Sequence, residues 1–288
     1  MVVQLHRYIV QFLVLLLSGI LIILFQFDDN NLHILSCEAG QGDEILVHYK
    51  LKQTKTDGGP NNKVVECLGK YIPFYDRTLE LVILTHPDAD HSTGLIEVFK
   101  RYKVDTFLEN DLEVSTQVYK VLKNQVGSSG AKVINPTNDM KLRLGLMQLD
   151  LLWPLATIQN LKTNDMGIVT LLTYGQFNAL FTADTENEVS DQISKNFKVK
   201  DLEYIKVNHH GSKNGLSQDL LDAVDPEIAV ISVGKNNRYG HPHEEILKML
   251  SKAWPASPVK NSNALILRTD EMGDIEVITD GERYWVRD

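Results

Sequence analysis

The chain has few cysteines and no excess of positive charge. Among its 288 residues only Cys37 and Cys67 are cysteines; they could pair, but they cannot build a disulfide-rich scaffold or a zinc ribbon. Asp and Glu number 38 against 29 Lys and Arg, so the formal net charge is -9. Composition therefore supplies no general attraction to a polyanion, although bound metal ions would reverse the local sign at a phosphodiester site.

An uncharged apolar run, Tyr8–Phe27, lies near the amino terminus. About 20 residues of helix cross the hydrocarbon core of a bilayer, so the run predicts a transmembrane helix. Arg7 precedes it and two acidic residues follow, which favours a single-pass protein with its remainder outside the cytoplasm. A signal peptide and a buried core helix are the alternatives. We predict an anchor, or uncleaved signal, at residues 1–30 and a hydrolase domain at residues 31–288.

The stretch Leu81–Gly94 carries four side chains of metal-ligand type. An apolar run predicts a strand, and His86, Asp88, Asp90 and His91 follow it within six positions. Alternate residues of an extended segment project to the same side, so the first two can bind one cation while the last two face another. Imidazole with carboxylate suits Zn, Mn or Fe. The alternative is a polar turn in which an aspartate caps the next helix.

The remaining segments alternate between strand and helix patterns. Strands are predicted on either side of the turn Ala39–Asp43, and the polar segment Lys50–Asn62 is predicted to end in a tight turn. Later predicted strands end at Asp184 and at the pair His209-His210. Such strand ends converge at one edge of α/β sheets, where ligands bind. We therefore predict two sheets packed face to face with helices outside, a fold of the α/β class.

Several short motifs resemble a known family. Thr85–His91 resembles the His-x-(His/Asp)-x-Asp-His signature of the metallo-β-lactamase fold superfamily, and Leu32–Val277 resembles the soluble domain of ComEC-type DNA-uptake proteins. The resemblance implies an αββα sandwich, here preceded by one N-terminal transmembrane helix. The other matching motifs, in order, are Ala39-Gly40-Gln41-Gly42-Asp43, Asp57-Gly58-Gly59-Pro60, Phe181-Thr182-Ala183-Asp184, Lys206-Val207-Asn208-His209-His210-Gly211-Ser212, Ser232-Val233-Gly234, Tyr239-Gly240-His241-Pro242 and Arg268-Thr269-Asp270.

The resemblance also implies two divalent metal ions, Zn or Mn. A bridging carboxylate would join the two sites, and one histidine of a pair would complete the second. The implied ligands are His86 and Asp88 for the first metal, Asp90 and His91 for the second, Asp184 as the bridge, and His209 or His210 as the last ligand. Read alone, Asp184 is as well explained as a helix N-cap.

This chain departs from the family pattern at several positions. Asn164 stands where other superfamily members supply a histidine, so the first metal is expected to have few protein ligands. Ala183 replaces the glycine that usually precedes the bridging aspartate, and Glu38 replaces an aspartate of the opening turn. His33 and His48, on strand faces, are predicted to be packing or surface residues.

Two metals bridged by Asp184 would activate a water for hydrolysis. We predict Asp90 and His241 as catalytic residues: Asp90 would orient or deprotonate the water, and His241 would contact substrate or compete as a metal ligand. The first hypothesis is a membrane-anchored, extracytoplasmic phosphodiesterase or nuclease, with DNA as a possible substrate. The second is a cell-envelope phosphoesterase. The third is a non-catalytic domain that binds a separate channel protein during DNA uptake. Replacement of the second histidine by Asp88 disfavours β-lactam hydrolysis.

Overall fold

The computed structural model describes residues 2–25, 29–110, 112, 114–137, 139–154, 162–199, 202–253 and 265–287. In these ranges the helices are α1 (Val2–Phe25), α2 (Lys63–Tyr71), α3 (Ala89–Ser92), α4 (Leu95–Arg101), α5 (Gln117–Ser129), α6 (Asn187–Asn196), α7 (Gln218–Val224), α8 (Glu244–Ala253) and α9 (Thr269–Met272). The strands are β1 (Leu32–Ser36), β2 (Ile45–Tyr49), β3 (Lys52–Thr56), β4 (Thr78–Leu84), β5 (Lys103–Glu109), β6 (Lys132–Ile134), β7 (Lys141–Leu144), β8 (Met147–Trp153), β9 (Val169–Tyr174), β10 (Phe177–Phe181), β11 (Tyr204–Lys206), β12 (Ile228–Ile231), β13 (Leu265–Arg268), β14 (Ile275–Thr279) and β15 (Tyr284–Arg287).

Two mixed sheets form the centre of the molecule. The first has the order β15-β14-β1-β2-β3-β4-β5-β6, and the second has the order β13-β12-β11-β10-β9-β8-β7. One apolar core lies between the sheets and includes Ile34, Leu172 and Val230. A second core packs α2, α4 and α5 on the first sheet, and a third packs α6, α7 and α8 on the second. The four layers form the predicted αββα sandwich.

The periods of the apolar residues explain why these elements form. Strand β4 ends in four consecutive buried residues, as expected for a strand covered on both faces, and it pairs in parallel with β3 and β5. In α4, Leu95, Val98 and Phe99 are buried at helical spacing and hold the helix against the first sheet. This packing fixes the direction in which the segment after β4 leaves the sheet.

The prediction for Lys50–Asn62 was wrong in part, because this polar segment contains strand β3. The strand lies between β2 and β4 in the first sheet. Its residues Gln53, Thr54 and Lys55 are at most 1% exposed. The Lys55 ammonium is 3.5 Å from the equally buried Glu44 carboxylate. A strand whose buried positions are polar has no apolar alternation, so its pattern could not be distinguished from that of a loop.

Helix α1 spans Val2–Phe25, and its side chains at residues 4–18 and 20 are exposed. Within residues 2–25 and the other described ranges, we find no helix whose length and apolar character suffice for a bilayer span. Gln26 and Phe27, at the end of the predicted span, lie outside the described residues. The transmembrane helix is therefore unsupported by the structure, and the division at residue 30 stays a prediction.

Cys37 and Cys67 form a disulfide, with their Cα atoms 6.3 Å apart. It joins the segment that follows β1 to helix α2 across 30 positions of the chain. The two cysteines thus make the pairing that their number allowed.

Candidate metal centre

The predicted ligand residues follow strands that end at the same edge of the two sheets. Strands β10, β11 and β12 are parallel neighbours. Asp184 follows β10, the pair His209-His210 follows β11, and His241 lies in the loop that follows β12. The segment that carries His91 follows β4 of the facing sheet. Carboxyl ends of parallel strands share an edge, which explains why residues more than 90 positions apart meet here.

Four of these side chains form one compact cluster. Asp90, His91, Asp184 and His210 each offer a ligand atom, and the four atoms lie within 4.8 Å of one another. The Asp184 Oδ2 atom is 3.3 Å from His91 Nε2 and 3.1 Å from His210 Nε2. Asp90 Oδ2 is 3.8 Å from His210 Nε2, and its side chain is 35% exposed. The cluster is therefore buried on three sides and open on the side of Asp90.

The polar atoms of this cluster are not satisfied by the protein. His91 Nε2, His210 Nε2 and Asp184 Oδ1 are buried without a hydrogen-bond partner. Leaving a buried polar group unpaired costs about 1–3 kcal/mol, so three at one point call for a ligand. Two imidazoles with two carboxylates are a donor set that Zn and Mn accept. The residues present fit a divalent cation.

Asp57 orients the His91 ring. The Asp57 Oδ2 atom is 2.8 Å from His91 Nδ1 and accepts a hydrogen bond from the Thr85 hydroxyl. The Asp57 Oδ1 atom accepts a hydrogen bond from the Thr85 backbone N–H. Because Asp57 occupies the Nδ1 side of the ring, Nε2 is the nitrogen left to bind a cation on the side of the cluster. Carboxylate–histidine pairs of this kind are typical of metal sites. The sequence placed Asp57 only in a glycine turn; an acidic residue followed by two glycines was the available signal.

The backbone at His210 is held in an unusual conformation. The ring donates from Nδ1 to the Ser232 carbonyl at 2.8 Å, which leaves Nε2 free for a ligand. His209 and His210 have φ angles of 47° and 54°, and Ala183 has a φ of 53°. Left-handed conformations cost non-glycine residues on the order of 1–3 kcal/mol and concentrate at functional sites. The φ of Ala183 also explains why a glycine is the expected residue there.

A buried lysine supports Asp184 from behind. Lys206, in β11, is fully buried, forms an ion pair with Asp43, and has its ammonium 3.5 Å from Asp184 Oδ1. The ammonium also donates to the Ala183 carbonyl at 3.2 Å. Sequence reasoning did not select Lys206 or Asp43 as site residues, because a lysine inside a predicted strand gives no sign of being buried.

The charged groups of the cluster shift one another's pKa values strongly. Burial lowers the pKa of His210, but Asp184 outweighs it and raises that pKa to about 9. Asp184 and Asp57 raise the pKa of His91 well above its usual value in the same way. Burial would raise the pKa of Asp90, but His210 and His91 lower it to about 2. The carboxylates are therefore ionised, and a cation that binds here would displace the protons that the two rings otherwise hold.

His86 and Asp88 lie beside the cluster and outside it. Their side chains approach to 3.7 Å, and the His86 ring centroid is 4.0 Å from that of His91. Asn164 begins a short 3-10 helix, Asn164–Met166, next to this pair, since Ile168 donates to the Thr85 carbonyl. The described residues thus bring together the two ligands predicted for a first metal, and the expectation that this site has few protein ligands stays a prediction.

The remaining two histidines lie toward the entrance. His209 Nε2 is 3.9 Å from Asp184 Oδ2, and its side chain is 24% exposed. The His241 ring centroid is 5.7 Å from that of His209 and 6.4 Å from that of His210. Of the histidine pair, His210 joins the cluster and His209 lies at its rim. His241 lies beyond both, nearer to where a substrate would approach.

Gly42 permits the close approach of the hairpin turn to the metal-type segment. Its φ is 138°, and a Cβ atom at this position would lie 2.1 Å from the Asp90 carbonyl oxygen. No side chain fits that distance, so the predicted role of the opening-turn glycines as a backbone device agrees with the geometry at Gly42, whereas a Cβ atom at Gly40 would meet nothing within 4 Å.

Comparison with known proteins gives relatives in sequence but no match to any protein-family model. The chain is 28% identical over 257 residues to ComE operon protein 3 of Bacillus subtilis, which is 83% of this chain and 32% of that protein. It is 26% identical over 245 residues to Recombination protein 2 of Haemophilus influenzae, which is 83% of this chain and 29% of that protein. The chain spans about a third of the length of the curated relatives it matches.

Solved structures resemble the whole sandwich. The metallo-β-lactamase fold protein YhfI from Bacillus subtilis superposes with a TM-score of 0.55, covering 89% of this chain and all of that one at 11% identity. CmlA, a diiron β-hydroxylase from Streptomyces venezuelae, gives 0.52 over 84% of this chain and 53% of that one at 12% identity. At these identities the likeness concerns the fold alone.

Proposed function

We propose that this chain, which has the metallo-β-lactamase fold and resembles part of the ComEC-type competence proteins, is a metal-dependent hydrolase of phosphodiesters. One observation carries the proposal: Asp90, His91, Asp184 and His210 converge, and the last three each have a buried polar atom without a hydrogen-bond partner. A structural cluster would be expected to satisfy its own polar atoms.

The residues around the cluster have distinct tasks in such a reaction. A divalent cation held by the four residues would polarise the phosphodiester and lower the pKa of a water. Asp90, ionised and open to solvent, is placed to orient that water by accepting its hydrogen bond. Burial and the neighbouring histidines lower the pKa of His241 to about 4, so its ring is neutral and can donate a hydrogen bond from its one N–H to a phosphate oxygen of the substrate. Asp57 and Lys206 hold His91 and Asp184 in position.

We further propose that the substrate is nucleic acid and that the reaction takes place outside the cytoplasm. The relatives are described as competence and recombination proteins, which supports nucleic acid as the polymer. The Cys37–Cys67 disulfide supports an oxidising compartment. A separate channel protein is the proposed partner for DNA uptake.

The test begins with metal content. The purified full-length chain is analysed by inductively coupled plasma mass spectrometry, and hydrolysis of bis(p-nitrophenyl) phosphate is followed while Zn or Mn is added. Asp184→Ala removes a cluster carboxylate; Glu276→Gln removes a buried carboxylate elsewhere and is the control. Bound metal and turnover that are lost only in Asp184→Ala would support the proposal. A folded protein with neither metal nor turnover under any cation would contradict it.

A second candidate follows from the neighbourhood of His86 and Asp88. These two residues stand apart from the four-residue cluster. In this second candidate the chain holds a single metal and retains the fold to bind a partner protein without catalysis. If the purified chain binds metal but hydrolyses no phosphodiester, this candidate is favoured. Turnover of teichoic-acid phosphodiesters in preference to DNA would favour a cell-envelope phosphoesterase.

A further inference from the structure

The loop between β12 and α8 carries an exposed aromatic ring beside the candidate metal centre. Tyr239 is 51% exposed, although large aromatic side chains are usually covered. Its ring stacks on that of His241, with centroids 5.7 Å apart and an interplanar angle of 25°. The His241 ring is in turn 5.7 Å from that of His209, whose Nε2 lies 3.9 Å from Asp184. A row of rings thus leads from solvent to the cluster.

The loop holds the Tyr239 backbone without using its side chain. Asn237 Oδ1 accepts hydrogen bonds from the backbone N–H groups of Tyr239 and His241, at 3.1 and 3.0 Å. Asn237 Nδ2 donates to the carbonyls of Gly234 and His241. The ring is therefore presented by a preorganised backbone, and its removal leaves these four hydrogen bonds in place.

Cations accompany the exposed ring. The Arg238 guanidinium lies 5.0 Å from the Tyr239 ring centroid, and its Nη2 donates to the Tyr239 hydroxyl at 2.9 Å. Lys213 and Lys235 are exposed on the two loops that carry the cluster histidines and His241. In the part of the chain that the structure describes, none of these three cations forms an ion pair with an acidic residue. In a chain of net charge -9, such cations favour a bound anion.

We propose that Tyr239 and Arg238 form a subsite that stacks a nucleobase next to the phosphodiester held at the metal centre, and that the strand bound there is single-stranded. An exposed aromatic face with an adjacent guanidinium is the arrangement by which proteins hold unpaired bases, and it accepts any base because each has a π face. In a duplex those faces are covered by neighbouring base pairs. The subsite rests on the proposed function for its substrate class, and it adds the preference for a base-bearing single strand.

The experiment measures binding rather than turnover. The full-length chain is titrated in EDTA, by fluorescence anisotropy, with an end-labelled oligodeoxynucleotide of about 12 residues and with an abasic strand of the same length. Tyr239→Ala should weaken binding of the base-bearing strand by about fivefold or more and leave the abasic strand unchanged, because stacking needs the base. Tyr239→Phe keeps the ring and should bind as the parent does. Arg238→Gln should weaken both strands and reduce the dependence on salt.

Phe74→Ala is the matched control. Phe74 is 65% exposed and precedes β4, whose opposite end carries the metal-type segment, so its loss should change neither affinity. Equal affinity of Tyr239→Ala and the parent for the base-bearing strand would overturn the subsite, as would equal losses on both strands. A Tyr239 effect on binding without hydrolysis of any phosphodiester would retain the subsite and refute the hydrolase. Hydrolysis without a Tyr239 effect would do the reverse.

Discussion

The molecule contains two buried groups of histidine and carboxylate that differ in one respect. In the first sheet, His33 has Glu276 at 2.7 Å from Nδ1 and Asp29 at 2.8 Å from Nε2, so both ring nitrogens have carboxylate partners. At the sheet edge, His91 has Asp57 at Nδ1, whereas its Nε2, which lies 3.3 Å from Asp184 Oδ2, makes no hydrogen bond. We call the His33 group the closed group, because the protein itself supplies a carboxylate partner to each ring nitrogen. We call the group at the sheet edge the open group, because its atoms without hydrogen-bond partners converge on one point, as the atoms of a ligand site do.

The backbone beneath the two groups differs in the same sense. His33 lies in β1, in regular register with β2 and β14. The open group is carried by segments that follow strands, and Asp57, Ala183, His209 and His210 have positive φ angles. A regular ladder stabilises the closed group, whereas the open group retains strained backbone that surrounding packing must hold.

The largest expected effect is on stability and comes from removing the ammonium group of Lys206, which lies behind the open group. Lys206→Met leaves Asp43 and Asp184 without their countercharge, and breaking a buried ion pair in this way should lower the free energy of unfolding by about 3–5 kcal/mol. Urea denaturation in EDTA measures it. Lys248→Met, which removes an exposed lysine paired with Glu244 on α8, is the control and should change stability by less than about 1 kcal/mol. Equal effects would mean that the buried carboxylates need no countercharge.

Next in size is the loss of the carboxylate that orients His91. Asp57→Asn should weaken metal affinity by about 10- to 100-fold, because the ring loses the partner that fixes its tautomer and direction. Competition with a fluorescent zinc chelator measures the affinity. Glu276→Gln, the same change in the closed group, should leave it unaltered. Matching losses in both variants would erase the distinction between the two groups.

The closed group should matter for stability instead. Glu276→Gln replaces a charged partner of both His33 and Arg287, so the free energy of unfolding should fall by about 1–2 kcal/mol. Urea denaturation at neutral pH measures the difference. No loss of stability would show that the closed group contributes nothing to folding despite its satisfied hydrogen bonds.

The smallest expected effect is the pH dependence of that difference. Burial lowers the pKa of His33, but hydrogen bonds with Glu276 and Asp29 outweigh it and raise the pKa above 6.5. The folded state then keeps a proton that the unfolded state releases, so this contribution is complete below the unfolded pKa and is lost as pH rises through the folded pKa. The stability difference between parent and Glu276→Gln should therefore shrink as the pH rises from below 6.5 through the folded pKa of His33.

His48 acts in the opposite direction. It stacks on His33 at 4.5 Å, and burial lowers its pKa to about 4, so it stays neutral while the unfolded chain takes up a proton below 6.5. Its contribution to stability is lost as pH falls. Because burial, the main cause of the His48 shift, is present in both parent and Glu276→Gln, most of its contribution cancels in the comparison at two pH values; the raising effect of Glu276 on the His48 pKa does not cancel. A difference that stays constant with pH would contradict the proton held on His33.

Much of the fold could be predicted because its signals are local. Apolar runs and helical spacing placed β4 and α4, and ligand-type residues at strand ends placed the sheet edge where the cluster lies. Strand β3 was missed, since its buried positions are polar and its Lys55 is paired with Glu44, which is distant in the local pattern. The choice between His209 and His210 was also left open, because adjacent residues are equivalent until the backbone turn decides which ring points inward.

The sequence by itself determined the αββα class and the segments that could hold metal, because periodicity and ligand spacing are properties of neighbouring residues. Only the tertiary structure decided that Asp90, His91, Asp184 and His210 close on one point while His86 and Asp88 stand beside it. The tertiary structure also decided which buried carboxylates are paired with a histidine or a lysine. Those outcomes depend on burial and on distances between residues far apart in the chain, and neither is encoded in a local pattern.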